Sequence, residues 1–313
     1  MIAAGPRAIG AAALLVAVAC VAGHRRLASS RLEAPSGPEV PPPPPAAEEP
    51  APPPPLVPPP EPDRTQAPWS QTPFTPVPEG AVEETRDAGG RHLRLGTARG
   101  TIHVWLPPGY ARRTAGIVLY VHGYYTNVDQ AFVDHDLASQ FRASGLDAAF
   151  IAPEAPDWNG APVYWNDLAE LLGEVAARAK LRLPEGPVVV SGHSGAIRTV
   201  LPWLSDPRVE EIVLLDGLYR GEDELSAWLA QAPAGRRRLL LVGQETAPLT
   251  EAWLPSLGAG NVVSHPRIPA RLGARERRAP VVYLRSQYDH MALVTGGRVL
   301  PLLLRATRVR PLG

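Results

Sequence analysis

Val188-Val189-Val190-Ser191-Gly192-His193-Ser194-Gly195-Ala196 is the stretch whose reading decides the fold. Three β-branched residues after Pro187 predict a short strand buried on both faces. Gly192 and Gly195 then bracket a serine, and Ala196-Ile197 opens a helix. Strand, sharp turn with serine at its tip, helix: this is the pattern of a nucleophile elbow. Its requirement is steric. A serine on so tight a turn sits in a strained backbone conformation, and its neighbours must be small enough for strand and helix to approach. Alanine stands at 196 where a second glycine is usual, and it still meets the size requirement. The plain alternative is a glycine-rich loop with a solvated serine.

The rest of the chain is read outward from that turn. The 313 residues include 38 prolines, concentrated between Pro35 and Pro78, and a formal net charge of zero from 31 basic and 31 acidic side chains. The balance gives no reason to expect nucleic acid as a partner. Arg236-Arg237-Arg238 and Arg275 to Arg278 are read as solvated faces. Cys20 is the only cysteine, so residues 81–313 have neither a disulfide nor a thiolate metal site, and their stability must come from a core.

Residues 1–23 are read as a signal peptide or membrane anchor. Arg7 precedes the apolar run Ala8 to Gly23, short for a membrane span but suited to a signal-peptide core. Ala17-Val18-Ala19 offers small residues for cleavage. Ala17-Val18-Ala19-Cys20 is also a poor lipobox, so lipid attachment at Cys20 is an alternative. His24-Arg25-Arg26 resists export, which leaves an uncleaved anchor as a third. Export to a periplasmic or extracellular location, with N-terminal membrane association, is the favoured expectation. Residues 24–80 are read as a disordered linker of proline, alanine and glutamate. Such composition cannot bury apolar surface, and in extended polyproline form, at about 3.1 Å per residue, Pro35 to Gly80 could span on the order of 100 Å. Residues 81–313 are assigned to one α/β domain.

Within that domain, His92 to Leu95 and Thr101 to Leu106 predict paired strands. Further strands are predicted at 117–121, 148–152, 188–190, 212–215, 239–242 and 281–284. Helices are predicted at 130–143, 167–180, from 196 onward, 222–230 and 297–306. Strands alternating with helices specify a mostly parallel sheet with helices on both faces, and such sheets place ligands at the carboxyl ends of their strands. At those ends stand His122-Gly123, Ser194, Asp216 and, shortly after the last, His290.

Serine needs a base to take its proton as it attacks, and an imidazole needs an acceptor on its other nitrogen to fix its tautomer and stabilise the cation formed. His290 is the candidate base. Asp216 is the preferred acceptor and Glu245 the alternative. The charge that develops on a carbonyl oxygen could be received by the backbone N–H groups of Gly195 and Tyr124. From about Arg91 to the C-terminus the chain resembles the α/β-hydrolase superfamily: the order serine, acid, histidine matches, as does a His-Gly pair after the third strand. Most members carry the acid after the seventh strand, here Glu245; some lipases carry it after the sixth, in a Leu-Asp context like Leu215-Asp216. The resemblance implies a serine esterase or lipase acting through an acyl-enzyme on Ser194, His290 and Asp216, with a small-molecule or lipid ester as substrate and no cofactor or metal. A non-catalytic binding module on a proline-rich tether, and a peptidase or cell-wall amidase, are the competing readings.

Other residues carry plainer expectations. His122 is read as structural. His265 is a weak rival to His290, which could itself be a helix-capping histidine. Asp134-His135-Asp136 is read as helix surface in preference to a metal site. Trp158, Tyr164 and Trp165 either line a substrate entrance or pack over the sheet edge. Thr246 to Arg278 is either a lid or a surface excursion.

Overall fold

A computed structural model describes residues 75–233 and 235–313. The N-terminal apolar run and the proline-rich stretch as far as residue 74 lie outside the described residues. Among the described residues no helix is long and apolar enough to cross a membrane. Ten strands form one sheet: β1 (Val82–Asp87), β2 (Gly90–Thr97), β3 (Gly100–Leu106), β4 (Gly116–Val121), β5 (Ala148–Pro153), β6 (Val188–His193), β7 (Val209–Leu215), β8 (Arg238–Gly243), β9 (Val262–His265) and β10 (Val281–Arg285). Their order is β1-β2-β3-β5-β4-β6-β7-β8-β10-β9. β1, β2 and β3 form an antiparallel meander, with β3 antiparallel to β5. From β5 to the β9 edge every neighbouring pair is parallel. The strand beginning at Val188 is thus flanked by β4 and β7, deep inside the sheet.

The period of two along each central strand sends alternate side chains to opposite faces. Ile117, Leu119, Val188, Val190, Ile212, Leu214, Leu239 and Leu241 point to one side, where they join the buried faces of α3 (Leu168–Arg178), α4 (Ile197–Trp203) and α5 (Glu222–Ala230). Val118, Tyr120, Val189, Val213, Leu215, Leu240 and Val282 point to the other. There they meet α1 (Val128–Asp134), α2 (Leu137–Ser144), α8 (Ala292–Thr295) and α9 (Val299–Leu304). Each fully buried aliphatic side chain contributes about 1.5–3 kcal/mol relative to exposure, which is why the central strands read as unbroken apolar runs.

Several expectations need correcting. The helix predicted at 130–143 is two helices, broken at Asp136, whose φ is +46°. Aspartate tolerates the left-handed region. The break turns His135 inward, where it is buried with Nδ1 2.8 Å from the Tyr120 hydroxyl, so it is not helix surface. Arg238 is fully buried rather than solvated. It pairs with Glu211 on β7 and donates to the carbonyls of Glu276 (3.0 Å), Ala279 (3.1 Å) and Ala306 (3.1 Å). Thr246 to Arg278 is not a plain excursion: it builds α6 (Ala247–Trp253), the edge strand β9 and α7 (Ala274–Arg278). β1 was not anticipated because all six of its residues are exposed. Its backbone pairing with β2 and the Arg91–Glu84 contact at 2.8 Å hold it without an apolar signature.

Candidate active site

β6 ends at His193, and the next residue, Ser194, has φ +54° before a 3₁₀ turn leads into α4. For a non-glycine residue this is strained backbone, retained where the surroundings over-determine it. Those surroundings are visible. A Cβ on Gly192 would meet the Cβ of Ala196 at 2.9 Å, so alanine at 196 fits only because 192 is glycine. A Cβ on Gly123 would lie 2.8 Å from the Cβ of Ser194, so the His122-Gly123 loop can touch the elbow only without a side chain there. Gly195 is covered by the Tyr124 ring, 2.5 Å from where its own Cβ would stand. Tyr125, Ser194 and Asp216 all have positive φ, and they sit in the three loops that meet at this point.

Asp216 closes β7, the strand beside β6. It is fully buried. Its Oδ1 accepts from the Gln244 N–H (2.8 Å), the Thr246 N–H (2.9 Å) and the Thr246 hydroxyl (2.8 Å), and its Oδ2 from the Glu245 N–H (3.0 Å). Oδ2 also lies 2.7 Å from His290 Nδ1. Burial pushes the carboxyl up, but the His290 hydrogen bond and the three backbone N–H groups outweigh it and hold it well below the ordinary carboxylate range. The loop after β8 therefore cages this carboxylate with its backbone, while the Glu245 side chain stays 47% exposed with Oε2 3.9 Å from His290 Nδ1. Asp216, Glu245 and His290 offer ligand atoms within 4.8 Å of one another. Both Asp216 oxygens are already filled by N–H and O–H donors, which is the chemistry of a proton relay rather than of an open cation site.

His290 lies beyond β10, within the loop that leads to α8, and two contacts fix it. One is Asp216. The other is His193, whose Nε2 donates to the His290 carbonyl at 3.2 Å, with the rings 4.5 Å apart. Burial holds His193 well below the ordinary histidine range, so it stays neutral. Ser194 has no hydrogen bond to His290 among the described residues; the Tyr219 hydroxyl, in the loop after β7, donates to Glu245 Oε2 at 3.0 Å. Rotation about the Cα–Cβ bond of Ser194 is the motion available to turn its hydroxyl, and catalytic hydrogen bonds are commonly loose before substrate binds. The Tyr124 N–H has no backbone partner among the described residues.

Other sequence candidates fall elsewhere. His122 is structural, its Nε2 2.9 Å from Glu154 Oε1 and 3.1 Å from the Ala155 N–H, and its Nδ1 2.7 Å from the Gly123 carbonyl. His265 is on β9, 3.2 Å from Glu276. Trp165 is core, whereas Trp158 is 45% exposed in a loop that Arg198 holds by its carbonyls and that meets the Tyr124 hydroxyl at Asn159 (3.2 Å). Sequence reasoning missed His193 and Tyr219. The first occupies the variable position of the elbow, and the second follows Asp216 by three residues; only proximity along the chain could have flagged them.

A mostly parallel sheet with the order β2-β3-β5-β4-β6-β7-β8-β10, and a strained serine on the turn after its central strand, has the α/β-hydrolase fold. Solved structures of similar architecture include a serine-to-alanine mutant of the feruloyl esterase module from Clostridium thermocellum complexed with sinapinate (TM-score 0.48, 13% identity, 73% of this chain and 95% of that chain). An S-formylglutathione hydrolase from Agrobacterium tumefaciens gives a TM-score of 0.48 at 12% identity, over 74% of this chain and 99% of its own. EstE1, a thermophilic carboxylesterase cloned from a metagenomic library, gives 0.44 at 15% identity, over 79% and 92%. No protein-family model matches the sequence, and comparison with curated proteins gives no match.

Proposed function

We propose that the protein is a serine hydrolase that cleaves a carboxylic ester, or an amide, through an acyl-enzyme on Ser194, His290 and Asp216. The observation that carries this reading is the 2.7 Å contact between His290 Nδ1 and the buried Asp216 carboxylate, beside a serine held at φ +54° on a strand-to-helix turn. Ser194 Oγ attacks the substrate carbonyl carbon as its proton passes to His290 Nε2. Asp216 stabilises the imidazolium so formed. The N–H groups of Gly195 and Tyr124 receive the developing oxyanion. Collapse of the tetrahedral intermediate expels the alcohol or amine, which takes the proton from His290. Water then enters by the same route in reverse roles, releasing the acid and restoring the serine. The substrate class is a small-molecule or lipid ester, and the chemistry requires no cofactor.

A fluorophosphonate should label the purified protein. Ser194→Ala should abolish labelling and lower turnover of short p-nitrophenyl esters by about 10⁴-fold or more. Labelling that persists in this variant would remove Ser194 from the chemistry. We also propose that residues 1–23 direct export and that the proline-rich stretch tethers the hydrolase domain outside the cytoplasm. The sequence of the mature N-terminus from fractionated cells tests this; cytoplasmic protein that begins at residue 1 contradicts it.

A further inference from the structure

We propose that Glu245 is a second carboxylate acting on His290, a positioning residue held in place by Tyr219, so that the imidazolium formed during catalysis is shared between two acids rather than one. This rests on the hydrolase reading above. The geometry separates the two acids by role. Asp216 is buried, 2.7 Å from His290 Nδ1, and its oxygens are saturated by N–H and O–H donors. Glu245 contributes its own N–H to that cage, yet its carboxylate stays outside it, with Oε2 3.9 Å from the same Nδ1. At that distance it is not the hydrogen-bond acceptor, but its charge still acts on the ring. The same Oε2 accepts from the Tyr219 hydroxyl at 3.0 Å, a second partner for a side chain that is otherwise exposed. Burial and the neighbouring carboxylates push the Tyr219 hydroxyl up, and it remains a donor across the working pH range.

Among the described residues, the other titratable groups beside His290 are His193 at the end of β6, 4.5 Å ring to ring, and its chain neighbour Asp289, whose Oδ1 accepts from the Ala292 N–H at 2.8 Å. His193 is kept neutral by burial, so Glu245 is the carboxylate, besides Asp216, that acts on this ring from a neighbouring loop.

The test is the pH profile of kcat/KM for a p-nitrophenyl ester in wild type, Glu245→Gln, Tyr219→Phe and the double variant, with the thermal midpoint of each confirming that it is folded. Glu245→Gln keeps the acceptor for Tyr219 and removes the charge. Because the variant removes a negative charge beside the ring, the acidic limb should move to lower pH and the plateau should fall by about 1.4- to fivefold, the range for a half-exposed pair. Tyr219→Phe should shift the limb in the same direction by less, and the double variant should place it where Glu245→Gln does, because Tyr219 acts on the ring through Glu245. Raising the salt concentration should move the wild-type limb toward that of Glu245→Gln. A Glu245→Gln profile that superimposes on wild type overturns the inference and leaves the hydrolase reading standing. Full turnover by Ser194→Ala or His290→Ala overturns the hydrolase reading itself.

Discussion

The closest steric control on Ser194 comes from a residue with no functional group. Gly123 lies where any side chain would press on the Ser194 Cβ at 2.8 Å and the His193 carbonyl at 3.1 Å, and neither is the movable end of a flexible chain. Gly123→Ala must therefore displace either the elbow or the loop that carries the Tyr124 N–H. Displacements near 1 Å in such sites cost on the order of 100-fold in rate, and overpacking costs about 1–3 kcal/mol of stability. We expect kcat/KM for ester hydrolysis to fall by about two orders of magnitude, with a thermal midpoint only a few degrees lower. An alanine variant with wild-type kinetics would show that the two loops are not in the contact described. Arg238 makes a similar point about residue identity. The second arginine of its run, Arg237, lies over the Trp228 ring, whereas Arg238 is fully buried. Three consecutive arginines gave no sign of which one points inward.

At the scale of elements, the site is assembled by loops leaving the same end of adjacent parallel strands: β4 gives Gly123 and Tyr124, β6 gives His193 and Ser194, β7 gives Asp216 and Tyr219, β8 gives the backbone cage and Glu245, and β10 gives His290. The amino ends of β7 and β8, opposite the site, are tied by Arg238, which joins Glu211 on β7 to carbonyls near α7 and beyond α9. Replacing Arg238 by methionine leaves the Glu211 carboxylate buried without its partner. We expect a loss of about 3–5 kcal/mol in urea denaturation, relieved in the double variant that also replaces Glu211 with leucine. Equal stability of the single variant and the wild type would mean that the pair is not load-sharing in the fold. The split between α1 and α2 is also an element-level fact. The apolar spacing of 130–143 suited one helix, and the hydrogen bond between His135 and Tyr120 accompanies a left-handed residue that interrupts it.

For the whole molecule, four buried histidines set a pH dependence of stability. Burial pushes His92 and His135 each down to about 3, and it also lowers His103 and His193. His92 and His103 share a hydrogen bond of 2.9 Å, and His103 lies 2.9 Å from Asp129. These groups stay neutral in the folded chain where the unfolded chain would take up protons. Stability is therefore fully present above the unfolded histidine value near 6.5 and is lost as pH falls toward the depressed folded values. His92 and His135 alone give a slope approaching about 3 kcal/mol per pH unit below that point. The urea midpoint should be flat from pH 8 to 7 and drop steeply between pH 6 and 4.5. A midpoint independent of pH over that interval would contradict the burial of these rings.

The sequence by itself determined the fold class and singled out Ser194, His290 and the two candidate acids, Asp216 and Glu245. It could do so because buried parallel strands must be unbroken apolar runs, and because a serine on a tight turn demands glycine around it. What it left open was which carboxylate meets His290, since Asp216 and Glu245 end neighbouring strands and both are chemically suitable. Tertiary structure decided that: the backbone of the β8 loop closes three N–H groups on Asp216, and its side chain alone is drawn to 2.7 Å from the imidazole. The charged edge strand β1, the short β9, the inward Arg238 and the Tyr219 contact were likewise decided only in three dimensions. Each depends on partners distant in sequence rather than on a local pattern of its own.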